Sequence, residues 1–363
     1  MSRIKRMMQL KHWEYWPFHR VYGPIYPIFA WYVIRSGFRF FFSAANPTIY
    51  SGGFLMESKK KVYDLLPEGS YPTTFYIVPG TTADALLQMM AAGCMNFPVI
   101  LKPDIGGRGR GVVVAHNEEE LEHYAALYDL PYLLQDFVPY EQEAGIFYAR
   151  MPGEKRGRVT GIVGKGFATI TGDGRRTIEE HILADDRLKR YINALRPALG
   201  ERIHTVPAPG ETEMLMPFGN HARGAAFYNW SYLIDDRIHR WADALADTID
   251  GFHYGRLDIR FHSWEALLHE DRFSIIELNG AGSEPTHIYD PSQSIFYAWR
   301  EIIRHWHILW RVSRANHKVG KAYMSLSEGR RMFADAAAYD AQLDLLHQKL
   351  LVRPTKKLVE VAA

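Results

Sequence analysis

The chain has 363 residues, 47% of them apolar, enough for a substantial core and more than one structural unit. Its 43 basic and 41 acidic residues nearly balance at +2, which argues against nucleic acid as a partner. The single cysteine, Cys94, excludes an intramolecular disulfide and fits a reducing compartment; within Ala91-Ala92-Gly93-Cys94 it reads as a small buried filler rather than a nucleophile.

Residues 1–55 are rich in aromatic side chains and proline. Arg3, Lys5, Arg6 and Lys11 precede an apolar run over 21–34 that Pro24 and Pro27 interrupt and Arg35 and Arg39 follow. The run is shorter than the ~20 residues that span a bilayer, and no cleavage pattern marks a signal peptide. Trp13, Trp16, Tyr22, Tyr26, Trp31 and Tyr32, interleaved with Arg and Lys, leave two readings open. One is peripheral contact with a membrane interface through residues 1–50; the other is packing against the rest of the fold.

From residue 57 helix and strand signals alternate. A helix is predicted over 58–66, closed by Pro67, and a strand over 71–78. Thr81 and Asp84 form a capping-box pattern opening a helix that ends at Gly93. A strand over 97–102 runs into a glycine-rich loop, and a strand over 112–115 follows. Asn117 caps a helix with an acidic first turn, Glu118 to Glu120, and 132–138 is again a strand. Beyond Pro139 the pattern predicts a hairpin of 145–150 and 158–163. After it come a Gly172-Asp173-Gly174 turn, helices over 177–183 and 232–249, and strands over 256–261 and 273–278. From about 293 the chain is helical. Ile295, Phe296, Trp299, Ile302, Ile303, Trp306, Leu309 and Trp310 fall on one stripe, read as a cap packed on the core. Arg300, Arg304, Arg311 and Arg314 on a neighbouring face leave a membrane-surface role as the alternative. These elements divide the chain at 1–55, 56–138, 139–292 and 293–363.

Two constellations carry chemistry. In the first, the strand ending in Lys102 leads to Gly106-Gly107-Arg108-Gly109-Arg110-Gly111. Glycines let backbone N–H groups approach phosphate oxygens, and the lysine adds a charge. A plain surface loop is the alternative, and no Gly-Lys-Ser/Thr closes it as a Walker loop. In the second, Arg256, Asp258 and Arg260 share one face of a strand, as Glu277 and Asn279 share a face of another. If the strands pair, Asp258, Glu277 and Asn279 offer the hard oxygen donors that suit Mg²⁺. The alternative is a solvated strand face with an Arg–Asp pair.

Taken in order along residues 56–291, these motifs resemble the ATP-grasp superfamily, specifically D-alanine–D-alanine ligases and the glutamate-adding and cyanophycin-synthetase-like branches. The resemblance implies an α+β fold in which two α/β lobes clamp ATP, here with a short aromatic N-terminal segment and a helical C-terminal extension. It implies that Lys59 (in a register that Lys60 and Lys61 also allow), Lys102 and Lys165 contact phosphates, with Gly106, Gly107, Gly109 and Gly111 forming the phosphate loop. Gln135, where the family usually has Glu, and backbone near Phe137 and Val138 would receive adenine, and Glu143 the ribose. Asn220-His221-Ala222-Arg223-Gly224 resembles a segment of the glutamate-adding ligases whose arginine faces phosphate or substrate, here Arg223. Arg256 matches the transition-state arginine, and Asp258, Glu277 and Asn279 the ligands of two Mg²⁺ ions, with Mn²⁺ an alternative.

The activity implied is transfer of the ATP γ-phosphoryl group to a carboxylate and capture of the acyl phosphate by an amine, the substrates being small molecules or lipid-linked. A phosphoryl transferase on the same fold, or a membrane-surface module with a degenerate ATP site, are the alternatives. A cytoplasmic location follows, free or peripheral on the inner membrane surface. Residues 1–55 are too short for the βαβ domain that precedes the grasp in most relatives. The substrate pocket is therefore expected to be finished by the N-terminal aromatics or the C-terminal helices. His287, in the loop after the metal strand, is either a substrate contact or a plain loop histidine.

Overall fold

A computed structural model describes residues 13–107, 109–216 and 225–351. The architecture is α+β, built on two antiparallel sheets, with a third of only two strands. In chain order the aromatic segment forms α1 (Phe18–Tyr22) and α2 (Tyr26–Arg35), and α3 (Lys59–Tyr63) follows. Next come β1 (Thr74–Ile77), α4 (Ala83–Ala92), β2 (Val99–Pro103), β3 (Val113–Ala115), α5 (Glu118–Leu127) and β4 (Tyr132–Asp136). These strands make a four-stranded sheet in the order β1-β4-β2-β3. Its apolar face buries Leu86, Met90, Leu121 and Tyr124 of α4 and α5 against Ile77, Val99, Leu101 and Leu134.

The second sheet is larger. β5 (Gln142–Ala149) and β6 (Arg158–Gly166) form the predicted hairpin. β7 (Ala168–Thr171), α6 (Ile178–Ala184), α7 (Ile192–Leu199) and β8 (Thr212–Met216) make a small satellite around the two-stranded sheet. β9 (Ala226–Asn229), α8 (Asp236–Thr248), β10 (Tyr254–Phe261), α9 (Trp264–Leu268) and β11 (Phe273–Asn279) complete it in the order β11-β10-β5-β6-β9. Alternation along β10 sends Leu257, Ile259 and Phe261 into a core shared with Ile238, Trp241 and Leu245 of α8. It leaves Arg256, Asp258 and Arg260 on the other face.

The last described elements are α10 (Ile295–Lys318) and α11 (Leu326–Leu351), a helical extension as expected. α10 packs as expected of a cap, except that Phe296 is 72% exposed. The first described part of the N-terminal segment packs on the fold. Trp13, Val21, Tyr22 and Ile25 join Ile288, Ala298 and Ile302 in one cluster, and Trp299 donates to the Val21 carbonyl at 2.7 Å. Asn46 stitches this segment to the sheet, donating to the Gly52 and Tyr254 carbonyls and accepting from the His253 and Tyr254 amides. Among the described residues no helix is long and apolar enough to cross a membrane.

Two local expectations are corrected. The cap of α4 is Thr82, whose side chain accepts from the Ala85 amide, so the capping pattern begins one residue after Thr81. Cys94 is exposed, not buried: α4 stops at Ala92, and Cys94 turns outward at φ 53°.

Candidate active site

Three rows of side chains cross the face of the five-stranded sheet turned away from α8. Arg260 lies opposite Glu143 in one row. In the next, Gly145, Asp258 and Glu277 are direct cross-strand partners; in the third, Phe147, Arg256 and Asn279 are. The Arg256–Asp258 and Glu277–Asn279 pairs, separate in sequence, thus occupy one patch.

Arg256 grips Asp258 at both oxygens, at 2.9 and 3.0 Å, and donates a third bond to the Glu284 carbonyl at 2.9 Å. Lys165 Nζ sits 2.8 Å from Glu143 Oε1 and 3.3 Å from Asp258 Oδ1, and Asn279 Nδ2 lies 3.4 Å from Asp258 Oδ2. Gly145 makes room for this pairing, since a Cβ there would come within 2.8 Å of Asp258 Oδ1. Burial drives the Asp258 carboxyl up, but Arg256 and Lys165 together outweigh it and hold it below its ordinary value. Burial likewise lowers Lys165, and Asp258 and Glu143 more than restore it. The Arg–Asp pair foreseen as a solvated alternative is present, yet buried and part of a larger charge network.

The four-stranded sheet supplies the facing wall. The register of β10 and β11 skips Ile276, which frees its carbonyl from the ladder. That carbonyl accepts from Lys102 Nζ at 3.3 Å and from the Tyr63 hydroxyl, which itself accepts from Lys102 at 2.8 Å and from Gln135 at 3.1 Å. Lys102 of β2 therefore faces the strand that carries Glu277. Lys59 Nζ, one turn before Tyr63 on α3, lies 3.8 Å from Glu277 Oε1. Lys60 pairs with Asp64 and Lys61 is exposed, so Lys59 is the one of the triplet whose side chain reaches Glu277. Glu57, Lys59, Tyr63 and Glu277 line one crevice.

Burial, opposed by Glu277, lowers Lys102 to about 8. The cation is therefore shed as pH rises through 8, and any anion it holds loses a partner. If Lys102 holds an ATP phosphate, as the sequence resemblance implies, ATP affinity should fall up to about tenfold per pH unit above that point. Binding there should take up protons, measurable by calorimetry in buffers of different ionisation heat. Affinity unchanged between about pH 7 and 9 would remove Lys102 from the phosphates.

No protein-family model and no curated protein matches the sequence. Solved structures are similar at low scores. A bifunctional glutathione synthetase from Pasteurella multocida is 14% identical over 69% of this chain and 35% of its own, at a TM-score of 0.37. D-alanine–D-alanine ligase from Bacillus anthracis is 12% identical over 72% and 67%, at 0.38. The VanG D-Ala:D-Ser ligase from Enterococcus faecalis is 12% identical over 70% and 61%, at 0.39. The chain is similar to these ligases only at TM-scores below 0.4. It spans about a third of the glutathione synthetase, and likeness at this level concerns the chain trace, not the chemistry.

The remaining residues that the ATP-grasp resemblance singles out fall as follows. Gln135 is buried on β4, its amide nitrogen also 2.7 Å from Thr74 Oγ1. Phe137 and Val138 follow that strand, and Arg260 donates to the Val138 carbonyl at 2.9 Å, its guanidinium beside the rings of Phe137 and Phe167. Glu143 is held between Lys165 and Arg260. Gly106, Gly109 and Gly111 have φ of 125°, 72° and 69°, the region that favours glycine; Gly107 does not. Arg223 and its 220–224 segment lie outside the described residues. His287 lies in the short turn Thr286–Tyr289, 2% exposed and 3.5 Å from Glu301. Among the described residues no three His, Cys, Asp or Glu side chains gather as a metal cluster.

Tyr63, Glu57 and Arg260 have no role assigned from the sequence. Tyr63 was discoverable, lying four residues from Lys59 on one helix face. Glu284 accepts from Tyr22 and, at 2.7 Å, from Tyr289, which brings the aromatic segment to the edge of the site. The glycine loop has an unforeseen anchor: Arg110 pairs with Asp340 at 2.6 Å and Asp344 at 3.0 Å on α11. Exposed pairs of this kind contribute about 0–1 kcal/mol. Asp340→Ala/Asp344→Ala should therefore leave the melting temperature nearly unchanged while deuterium exchange of residues 106–111 accelerates. Unaltered exchange there would mean that α11 does not restrain the loop.

Proposed function

We propose that the chain is an ATP-dependent ligase that phosphorylates a substrate carboxylate and joins the acyl group to an amine. The observation that carries this reading is the register of β10 and β11, in which Asp258 and Glu277 stand opposite each other. Lys59, Lys102, Lys165, Arg256 and Arg260 gather around them, against the carboxylates Glu57, Glu143, Asp258 and Glu277. With Glu284 at the edge of the site the cations and carboxylates balance, and such a dense set of cations suits a reaction that brings a polyphosphate to an anionic carboxylate.

The donor set fits Mg²⁺, which keeps waters and phosphate oxygens as ligands and needs only one or two carboxylates from the protein. Glu277 is the accessible one, with a 32% exposed side chain; Asp258 and Asn279 adjoin it. Bound there, the ion would screen phosphate charge and orient the γ-phosphoryl group. Lys59 and Lys102 would neutralise phosphate oxygens from the facing wall. Arg256, anchored at Glu284 and Asp258, would hold the substrate carboxylate and the charge that develops on it. The loop bearing Gly106 to Gly111 would exclude water from the acyl phosphate.

Mass spectrometry of a metabolite extract incubated with the protein and Mg²⁺-ATP tests the reading. ADP together with a new amide is expected. ADP with a phosphorylated product and no amide would make the chain a phosphoryl transferase, and absence of nucleotide binding would defeat both.

A further inference from the structure

The end of α2 and the last turns of α10 frame an open pocket lined by Arg35, Arg39, Trp310, Arg314, Lys318 and Tyr323. No carboxylate lines it, and none of the four cations makes an ion pair among the described residues. The wall is built, not incidental. The Arg35 and Arg314 guanidinium groups lie 4.8 and 5.2 Å from the centroid of the Trp310 ring, Tyr32 stacks on that ring at 5.4 Å, and the indole nitrogen donates to Ser36 Oγ at 3.1 Å. Four like charges gathered without a counter-charge favour an anion, and guanidinium forks suit phosphate oxygens.

The surroundings indicate where that phosphate comes from. Trp31, Ile34 and Phe38, interleaved with Arg35 and Arg39, are 56%, 48% and 60% exposed. Phe38 is displayed at φ 57°, a conformation disfavoured for an aromatic residue. Bare apolar rings beside a cationic pocket have no use for a free anion, but they match the layered polarity of a bilayer surface. We propose that this pocket receives the phosphate of an anionic phospholipid and seats the chain on a membrane, with Trp31, Ile34 and Phe38 entering the interfacial layer. The site goes beyond the ligase reading and stands without it.

Flotation of the full chain with phosphatidylcholine vesicles, with and without phosphatidylglycerol, tests this. Retention is expected only on the anionic vesicles and should fall with added salt. Arg39→Gln/Lys318→Gln removes two side chains that make no hydrogen bond or ion pair among the described residues, so the melting temperature should hold. Vesicle affinity should drop roughly 25-fold, at about fivefold per basic residue. Trp31→Ala should weaken retention further. Equal retention on neutral vesicles, or a double variant that binds like the parent, overturns the proposal. So does calorimetric binding of soluble glycerol phosphate, lost in the double variant, without vesicle retention: the pocket would then serve a free phosphate compound.

Discussion

Glu277→Ala is expected to leave the chain folded while Mg²⁺-ATP affinity falls by more than about 100-fold. Loss of a group that merely supports a metal ligand costs roughly 10–100-fold, and a direct ligand should exceed that. Stability should hardly change, because the side chain is 32% exposed and its ion-pair partner among the described residues, Lys59 at 3.8 Å, keeps a 2.6 Å hydrogen bond to the Gly106 carbonyl. Calorimetric titration of ATP with and without Mg²⁺ reads the two effects apart. Parental Mg²⁺-ATP affinity in the variant would take the metal away from Glu277.

Asp258→Ala should do the reverse and damage the fold first. Its carboxylate answers Arg256 and Lys165, whose side chains are 14% and 7% exposed. Removing one member of such a buried set strands the others and costs about 3–5 kcal/mol. Denaturant melts would show this directly, and an unchanged midpoint would mean that the network contributes little. The pH dependence has the same origin. With its folded pKa held down, Asp258 contributes stability above its ordinary value of ~3.9 and loses it as pH falls through the lower folded value. Acid unfolding of the parent should therefore include a step that Asp258→Ala lacks.

Much of this was legible because strand alternation is local. The shared face of Arg256, Asp258 and Arg260, that of Glu277 and Asn279, the Asn117 cap and the β5–β6 hairpin all follow from neighbours a few residues apart. What the sequence could not reveal depends on long-range register. The skipped Ile276 aims a carbonyl at Lys102, and only the docking of α3 separates Lys59 from Lys60 and Lys61. Cys94 misled because a small residue beside alanines looks like core until the helix is seen to stop before it. The burial of His287 needed α10 in place, since its partner Glu301 is contributed by that helix.

The pairing of Arg110 with Asp340 and Asp344 couples the glycine loop to α11. If the nucleotide of the proposed reaction draws that loop inward, either those ion pairs open or α11 travels with it. Thermodynamic reciprocity then makes anything that tugs on that helix, from a proteolytic nick to a fused tag, felt as a change in ATP occupancy.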